Sequence, residues 1–328
     1  MELLEAIHAN LLSPAVLFFA LGVLAAVVKS DLKFPEALYI SLTIYLLTAI
    51  GFKGGVAIAE AGLGAVWAPG MAAMALGALI PLWSYPILRF AGRLPAVDAA
   101  AIAAHYGSVS AVTFIAATNF LKQIDQPYEN YATAFLAVME SPAIVVGILL
   151  GKAAGTGRGA GWGPVTRLAL REAVFGRSVL LLVGALIIGA LCGKRGMANV
   201  EGFFVTPFQG VLAIFLLEMG MVAARRLGDL RKVGFFLLGF GIVAPLVHGC
   251  LGLLAGQLVG LSLGGTTLLG VLAASASYIA APAAMRLSLP EANPTYYLTA
   301  ALAITFPFNI AFGIPTYYAL ARWLLSTP

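Results

Sequence analysis

The sequence predicts an all-α polytopic membrane protein of about ten transmembrane helices, arranged as a five-plus-five inverted repeat with broken, crossing helices. Three observations support this fold class. Apolar residues make up 61% of the 328-residue chain and charged residues only 10%, whereas soluble domains are about one quarter charged. The charges form short clusters separated by long uncharged stretches. The same polar motifs also recur, in the same order, in the two halves of the chain.

Long uncharged stretches predict the spans. Neither the segment between Glu60 and Arg89 nor that between Lys232 and Arg286 contains Asp, Glu, Lys or Arg. A span needs about 20 apolar residues to cross about 30 Å of hydrocarbon. We expect spans near residues 13–28, 37–59, 68–91, 98–121, 130–151, 178–193, 203–224, 234–257, 267–285 and 295–321.

The domain organisation follows from these spans and from a repeat. Residues 1–151 form the first repeat, residues 152–176 a Gly-rich cytoplasmic linker, and residues 177–328 the second repeat. Three motifs recur in order: Gly55-Val56-Ala57 as Gly220-Met221-Val222, Ser108-Val109-Ser110 as Ser275-Ala276-Ser277, and Glu140-Ser141-Pro142 as Thr305-Phe306-Pro307. Because each half has an odd number of spans, the halves must be inverted, as is typical of secondary transporters.

Loop cations predict the orientation. With the N-terminus outside, 14 of the 19 Lys and Arg residues fall on the inner side, in agreement with the positive-inside rule. We therefore expect a multi-pass protein of a bacterial inner membrane, in contact with lipid, with both termini outside. Motifs for ATP binding, hydrolysis or metal-dependent catalysis are absent from the sequence. We accordingly expect that the protein is not an enzyme, binds no nucleic acid and uses no cofactor other than a coupling ion.

The fourth and ninth predicted spans contain small and hydroxyl-bearing residues at matching places. If these helices break at Gly107 and Pro282, two helix N-termini meet at mid-membrane, where free N–H groups bind an anion without a buried cation. An alternative is that the small residues only permit close helix packing. The predicted substrate-binding residues are Gly107, Ser108, Val109, Ser110, Ser275, Ala276, Ser277 and Tyr278.

Glu140 lies inside the fifth predicted span, two residues before Pro142. A carboxylate at membrane depth costs about 2.5–3.5 kcal/mol or more, which points to a function unless the residue reaches water at the end of the span. Glu140 can ligate a sodium ion, or it can carry a proton. The predicted sodium-binding residues are Ser110, Thr113, Glu140 and Ser277. No other metal site is expected.

The sequence resembles the sodium-dependent bicarbonate transporters first described in cyanobacteria. The similar stretches include GFKGGVAIAE at 51–60, GSVSAVT at 107–113, MESPAIV at 139–145, GMVAARRLGDLRKV at 220–233, APLVHG at 244–249 and AASASYIAAPAAMRLSLPEANPTYY at 273–297. Two residues at the expected site depart from this pattern. Tyr278 stands where bicarbonate-carrying members have an aspartate, and Glu140 stands where they have the shorter acid.

The resemblance implies a core domain that moves against a gate domain in an elevator-type mechanism. It also implies a homotrimer that carries bicarbonate together with sodium, and a small nucleotide-binding signalling protein as a possible cytoplasmic partner. The sequence is also compatible with three other hypotheses. The protein transports another small anion such as a carboxylate, it couples transport to protons, or it is a membrane scaffold or sensor that transports nothing.

Overall fold

The computed structural model describes residues 10–155, 167, 171 and 175–326. Every regular element in these ranges is helical, and they contain no strand, so the all-α prediction is confirmed. The linker predicted at residues 152–176 lies mostly outside the described residues. The helices are α1 Pro14–Val27, α2 Glu36–Ala61, α3 Leu63–Pro86 with a π-helical turn Ile87–Ala91, α4 Ala96–Gly107, α5 Ala111–Gln123, α6 Thr133–Gly155, α7 Arg177–Phe204, α8 Phe208–Leu227, α9 Leu230–Leu258, α10 Leu263–Ala273, α11 Ala280–Ser288 and α12 Pro294–Ser326.

Eight stretches of the described chain are long and apolar enough to cross a membrane, compared with the ten or so that the sequence predicts. The difference has two causes. The first predicted span corresponds to α1, whose 14 residues extend about 21 Å at 1.5 Å per residue. The ninth predicted span is divided into α10 and α11, of 11 and 9 residues.

Local sequence explains where several helices begin. Ser13 caps α1 by accepting a hydrogen bond from the Val16 N–H at 3.3 Å, and a proline follows it at the first helical position. Gly62 separates α2 from α3 with φ of 79°, a left-handed conformation that glycine adopts without a steric cost. The chain therefore turns from α2 into α3 within a single residue.

The broken helices form the centre of the molecule. In the most apolar window of Ala96–Gln123, which contains α4 and α5, 94% of the residues are buried, compared with 28% in Leu63–Ala91 and in Val179–Phe204. The α4–α5 segment is therefore enclosed by protein, while most of α3 and α7 faces outward. Broken helices need this enclosure, because unpaired backbone groups cannot face lipid.

Helices α2 and α7 pack through glycines. A Cβ on Gly55 would collide with the carbonyl oxygen of Leu186, and a Cβ on Gly189 would collide with that of Phe52. The absence of side chains at these two positions lets the helix backbones touch, as small residues do in membrane helix pairs.

Helices α1 and α8 pack in the same way. A Cβ on Gly220 would meet the carbonyl oxygen of Phe19, and a Cβ on Gly22 would meet that of Leu217. We call α1, α2, α7 and α8 the first helix group. The second helix group consists of α3–α6 and α9–α12, in which α6 packs on α3 and α4, and α9 packs on α10 and α12.

Candidate functional site

The first break interrupts the chain between α4 and α5. Gly107 ends α4, and Pro81 of α3 fills the space that a Cβ on Gly107 would need. Ser110 then adopts an extended conformation, with φ of −105° and ψ of 110°, and its hydroxyl accepts a hydrogen bond from the Thr113 N–H at 3.1 Å. Ser110 is thus the N-cap of α5, a position that favours serine.

The second break lies between Ala273, where α10 ends, and Ala280, where α11 begins. The sequence suggested Pro282 as the weak point, but Pro282 lies inside the first turn of α11. Proline is tolerated in the first turn because the N–H it lacks has no intrahelical acceptor there. The break therefore precedes the proline and contains the Ser275-Ala276-Ser277 motif itself.

The two breaks cross and are bonded to each other. The Ser110 N–H donates to Ser275 Oγ at 2.9 Å, and the Ser277 N–H donates to the carbonyl oxygen of His105 at 2.8 Å. The Ser275 hydroxyl in turn donates to the carbonyl oxygen of Leu272 at 2.8 Å. The matched serine motifs of the two halves are therefore direct neighbours in the middle of the protein.

A cavity of about 20 Å³ lies against this crossing. Its volume is enough for one water-sized particle and too small for an anion of four heavy atoms. The described residues that line it include five of the predicted site residues, Val109, Ser110, Glu140, Ser277 and Tyr278, together with Leu47, Ala111, Leu136, Leu182 and Ile279.

Of the described residues in this lining, Glu140 is the only charged one. Its side chain is 7% exposed, so it does not reach water at the end of its span. A buried carboxyl group is costly unless a cation or a proton neutralises it. The serine hydroxyls beside it supply further oxygen ligands, which hard cations prefer.

Two hydroxyl groups at the crossing are buried without a hydrogen-bond partner among the described residues. They belong to Ser108, which is fully buried, and to Tyr278, whose hydroxyl lies close to the Ser110 side chain. Most buried polar atoms in proteins are paired with protein or water. These two hydroxyls are therefore available to a ligand or a water molecule.

The remaining predicted site residues surround the cavity without lining it. Thr113 acts indirectly, because its hydroxyl donates to Ser110 Oγ at 2.9 Å and so fixes the orientation of that serine. Those that do not line the cavity are Gly107, Ser108, Thr113, Ser275 and Ala276.

Sequence reasoning missed three residues near the site. Leu47 and Leu182 belong to the first helix group and close one wall of the cavity. Asn309 is fully buried in α12, and its amide donates to the carbonyl oxygen of Ala274 at 2.8 Å, which fixes the start of the second break. The sequence did contain a signal for Asn309, because it is a lone amide inside the last apolar span. It contained no signal for Leu47 and Leu182, because they are two leucines among many.

The histidines near the crossing contribute to packing. His105 donates through Nδ1 to the carbonyl oxygen of Ala101 at 2.6 Å and stacks on Tyr297 with ring centroids 4.4 Å apart. His248 accepts a hydrogen bond from the Trp83 indole at 3.0 Å. No group of three or more His, Cys, Asp and Glu residues suited to a metal ion occurs in the described part of the chain.

A sequence model of the Na+-dependent bicarbonate transporter superfamily matches residues 14–322, nearly the whole chain. The chain belongs to this superfamily. No curated protein matches the chain. Membership in a superfamily of transporters, together with the apolar helices, establishes a multi-pass membrane protein that is not an enzyme. It also confirms the resemblance inferred from the sequence motifs.

Proposed function

We propose that this superfamily member is a secondary active transporter that couples sodium to the movement of bicarbonate or a similar small anion. The observation that carries the proposal is the crossing of two broken helices beside a single buried carboxyl group. Broken helices at mid-membrane supply N–H groups for anions and carbonyl oxygens for cations. Glu140 adds one negative charge, which a co-transported cation balances.

The anion would bind at the N-terminus of α5. Two of its first amides are already used, because the Ser110 N–H bonds to Ser275 and the Thr113 N–H bonds to the Ser110 hydroxyl. The amides of Ala111 and Val112 remain, and helix geometry offers neither an intrahelical acceptor. The unpaired hydroxyls of Ser108 and Tyr278 would complete the shell.

The sodium ion would occupy the 20 Å³ cavity, which suits one ion stripped of water. Glu140, Ser110 and Ser277 line it, and Thr113 orients Ser110 from behind. Because an anion does not fit the same space, anion binding requires the wall formed by Leu47 and Leu182 to move away from the break.

That movement agrees with an elevator-type mechanism. One wall of the cavity comes from the first helix group and the other lining residues come from the second. A site at such a boundary becomes accessible when one group slides along the other. In this proposal the second helix group, which holds both breaks, is the moving core, and the first is the gate.

Ten spans in an inverted repeat are part of the proposal. The glycine contacts support it, because two contacts in each crossing pair have counterparts shifted by 165 or 167 positions in the other pair. The counterparts are Gly55 on Leu186 with Gly220 on Phe19, and Gly22 on Leu217 with Gly189 on Phe52.

The assembly and location are proposals too. The resemblance supports a homotrimer and a nucleotide-binding regulator on the cytoplasmic face. The distribution of loop cations supports a bacterial inner membrane with both termini outside.

Purified protein in liposomes tests the function directly. Uptake of labelled bicarbonate should require an inward sodium gradient and should persist when a proton gradient is collapsed. Uptake driven only by protons would assign Glu140 to proton transfer. Uptake of a carboxylate instead of bicarbonate would change the substrate, and no uptake of either would favour a scaffold or sensor.

A further inference from the structure

A second cavity of about 320 Å³ opens at the surface beside the first. It lies between α2, α5, the start of α6 and the connection from α7 to α8. Two lysines line it, Lys53 of α2 and Lys122 of α5. We call it the outer cavity, because the loop cations predict that both lysines lie toward the outer side of the membrane.

The outer cavity adjoins the candidate site. On three helices a residue of the small cavity and a residue of the outer cavity are three positions apart, which is about 4.5 Å along a helix. These pairs are Leu47 and Ile50 on α2, Ala111 and Phe114 on α5, and Leu136 and Thr133 on α6. The outer cavity therefore lies about one helical turn from the candidate site, on its predicted outer side.

The charge of the outer cavity is positive. The Lys53 ammonium group lies 4.2 Å from the centre of the Phe208 ring, a cation–π contact that holds it over the cavity. Lys122 is exposed at the rim, and the two positive charges act on each other. Glu60 also lines the cavity, but Lys194 pairs with it at 3.3 Å from outside. The two lysines are thus not neutralised by a carboxylate of the described chain.

A neutral donor is also available. The Thr133 hydroxyl lines the outer cavity and is buried without a hydrogen-bond partner among the described residues. Low-dielectric walls around two ammonium groups concentrate their field and raise the local concentration of anions.

We propose that the outer cavity is a loading site for a small monovalent anion, held by Lys53, Lys122 and Thr133 before it passes to the helix breaks. The identity of the anion rests on the proposed function, whereas the binding of an anion at this place does not.

The first test measures uptake by the full chain in liposomes. Lys53→Gln and Lys122→Gln should each raise the KM for bicarbonate about 2- to 10-fold at low salt while kcat stays within about twofold. The increase should shrink at 0.5 M salt, because screening shortens the range of the field. Lys122→Arg keeps the charge and should behave as wild type. Arg195→Gln removes a charge from an exposed position outside the cavity and serves as the matched control.

The second test does not depend on transport. Cys192 and Cys250, both exposed, are replaced by serine, and Thr118→Cys places one thiol in the lining of the outer cavity. An anionic thiosulfonate should react with this thiol faster than a cationic one. Lys53→Gln and Lys122→Gln should reduce that ratio, and bicarbonate without sodium should slow the labelling.

The two tests separate the two hypotheses. A wild-type protein that transports no bicarbonate but keeps the charge-selective labelling contradicts the proposed function and supports anion loading. Equal reaction rates with both reagents, unchanged by either lysine substitution, overturn the loading site even if sodium-coupled uptake is normal. An unaltered KM for bicarbonate in both glutamine variants would also overturn the loading site.

Discussion

At the scale of single residues, the site depends on buried polar side chains whose charge or hydrogen-bonding capacity is not balanced by other groups of the described chain. Among the described residues that line the small cavity, Glu140 is the only charged one. Tyr278 ends in a buried hydroxyl without a partner in the described chain. Such groups reduce stability in the free protein. A ligand that binds them recovers that free energy, so each can be tested by substitution.

Glu140→Gln keeps the shape of the side chain and removes its charge. We expect the half-saturating sodium concentration to rise more than tenfold, or uptake to be lost, because sodium loses its charged ligand. The measurement is sodium-dependent bicarbonate uptake in liposomes. Glu201→Gln, at an exposed position of α7, is the control. Unchanged sodium dependence in Glu140→Gln would remove this residue from the ion site.

Tyr278→Phe removes only the unpaired hydroxyl. Because a buried polar atom without a partner costs about 1–3 kcal/mol, the variant should have an unchanged or higher Tm. If the hydroxyl contacts the anion, the KM for the anion should rise about 2- to 10-fold. If the hydroxyl has a structural role instead, its removal would lower Tm and leave the KM unchanged. Tm and KM together therefore distinguish anion contact from a structural role.

At the scale of elements, close helix contacts are the feature most sensitive to a single methyl group. Gly220→Ala places a methyl against the Phe19 carbonyl oxygen of α1, and overpacking of this kind costs about 1–3 kcal/mol. Gly210 lies on the same helix and has open space at its Cβ position. We expect Gly220→Ala to lower Tm by several degrees and Gly210→Ala to leave it unchanged or raise it. Equal Tm values for the two variants would contradict the packing of α1 on α8.

Prediction from sequence succeeded where the local composition is compatible with only one structure. The uncharged stretches identified the helices, and Gly107 correctly indicated the end of α4, because a glycine among small residues both permits a break and lets Pro81 approach. It failed at Pro282, since a proline in a first turn and a proline at a break look alike in sequence. Leu47 and Leu182 were out of reach, because their role depends on which two helix groups meet.

At the scale of the whole molecule, the number of spans depends on whether the 14 residues of α1 cross the membrane. If they do, a tag at the N-terminus is accessible from outside, while a cysteine in the loop after α1, introduced as Ser30→Cys, is accessible only from inside. Impermeant labelling reagents applied to intact cells and to inverted vesicles measure both positions. Accessibility from the same side would show that α1 does not cross, and that the count of ten is wrong.

The glycine contacts have a consequence for the way in which this protein can move. A carbonyl oxygen that lies directly over a glycine of a neighbouring helix restricts how the two helices can move. Sliding or rotation of either helix would drive the oxygen into a side chain next to the glycine. The glycines in such contacts are Gly22 and Gly220 in the pair α1–α8, and Gly51, Gly55 and Gly189 in the pair α2–α7. The pairs α1–α8 and α2–α7 therefore resist sliding within each pair, and each pair should move as one unit in any conformational change.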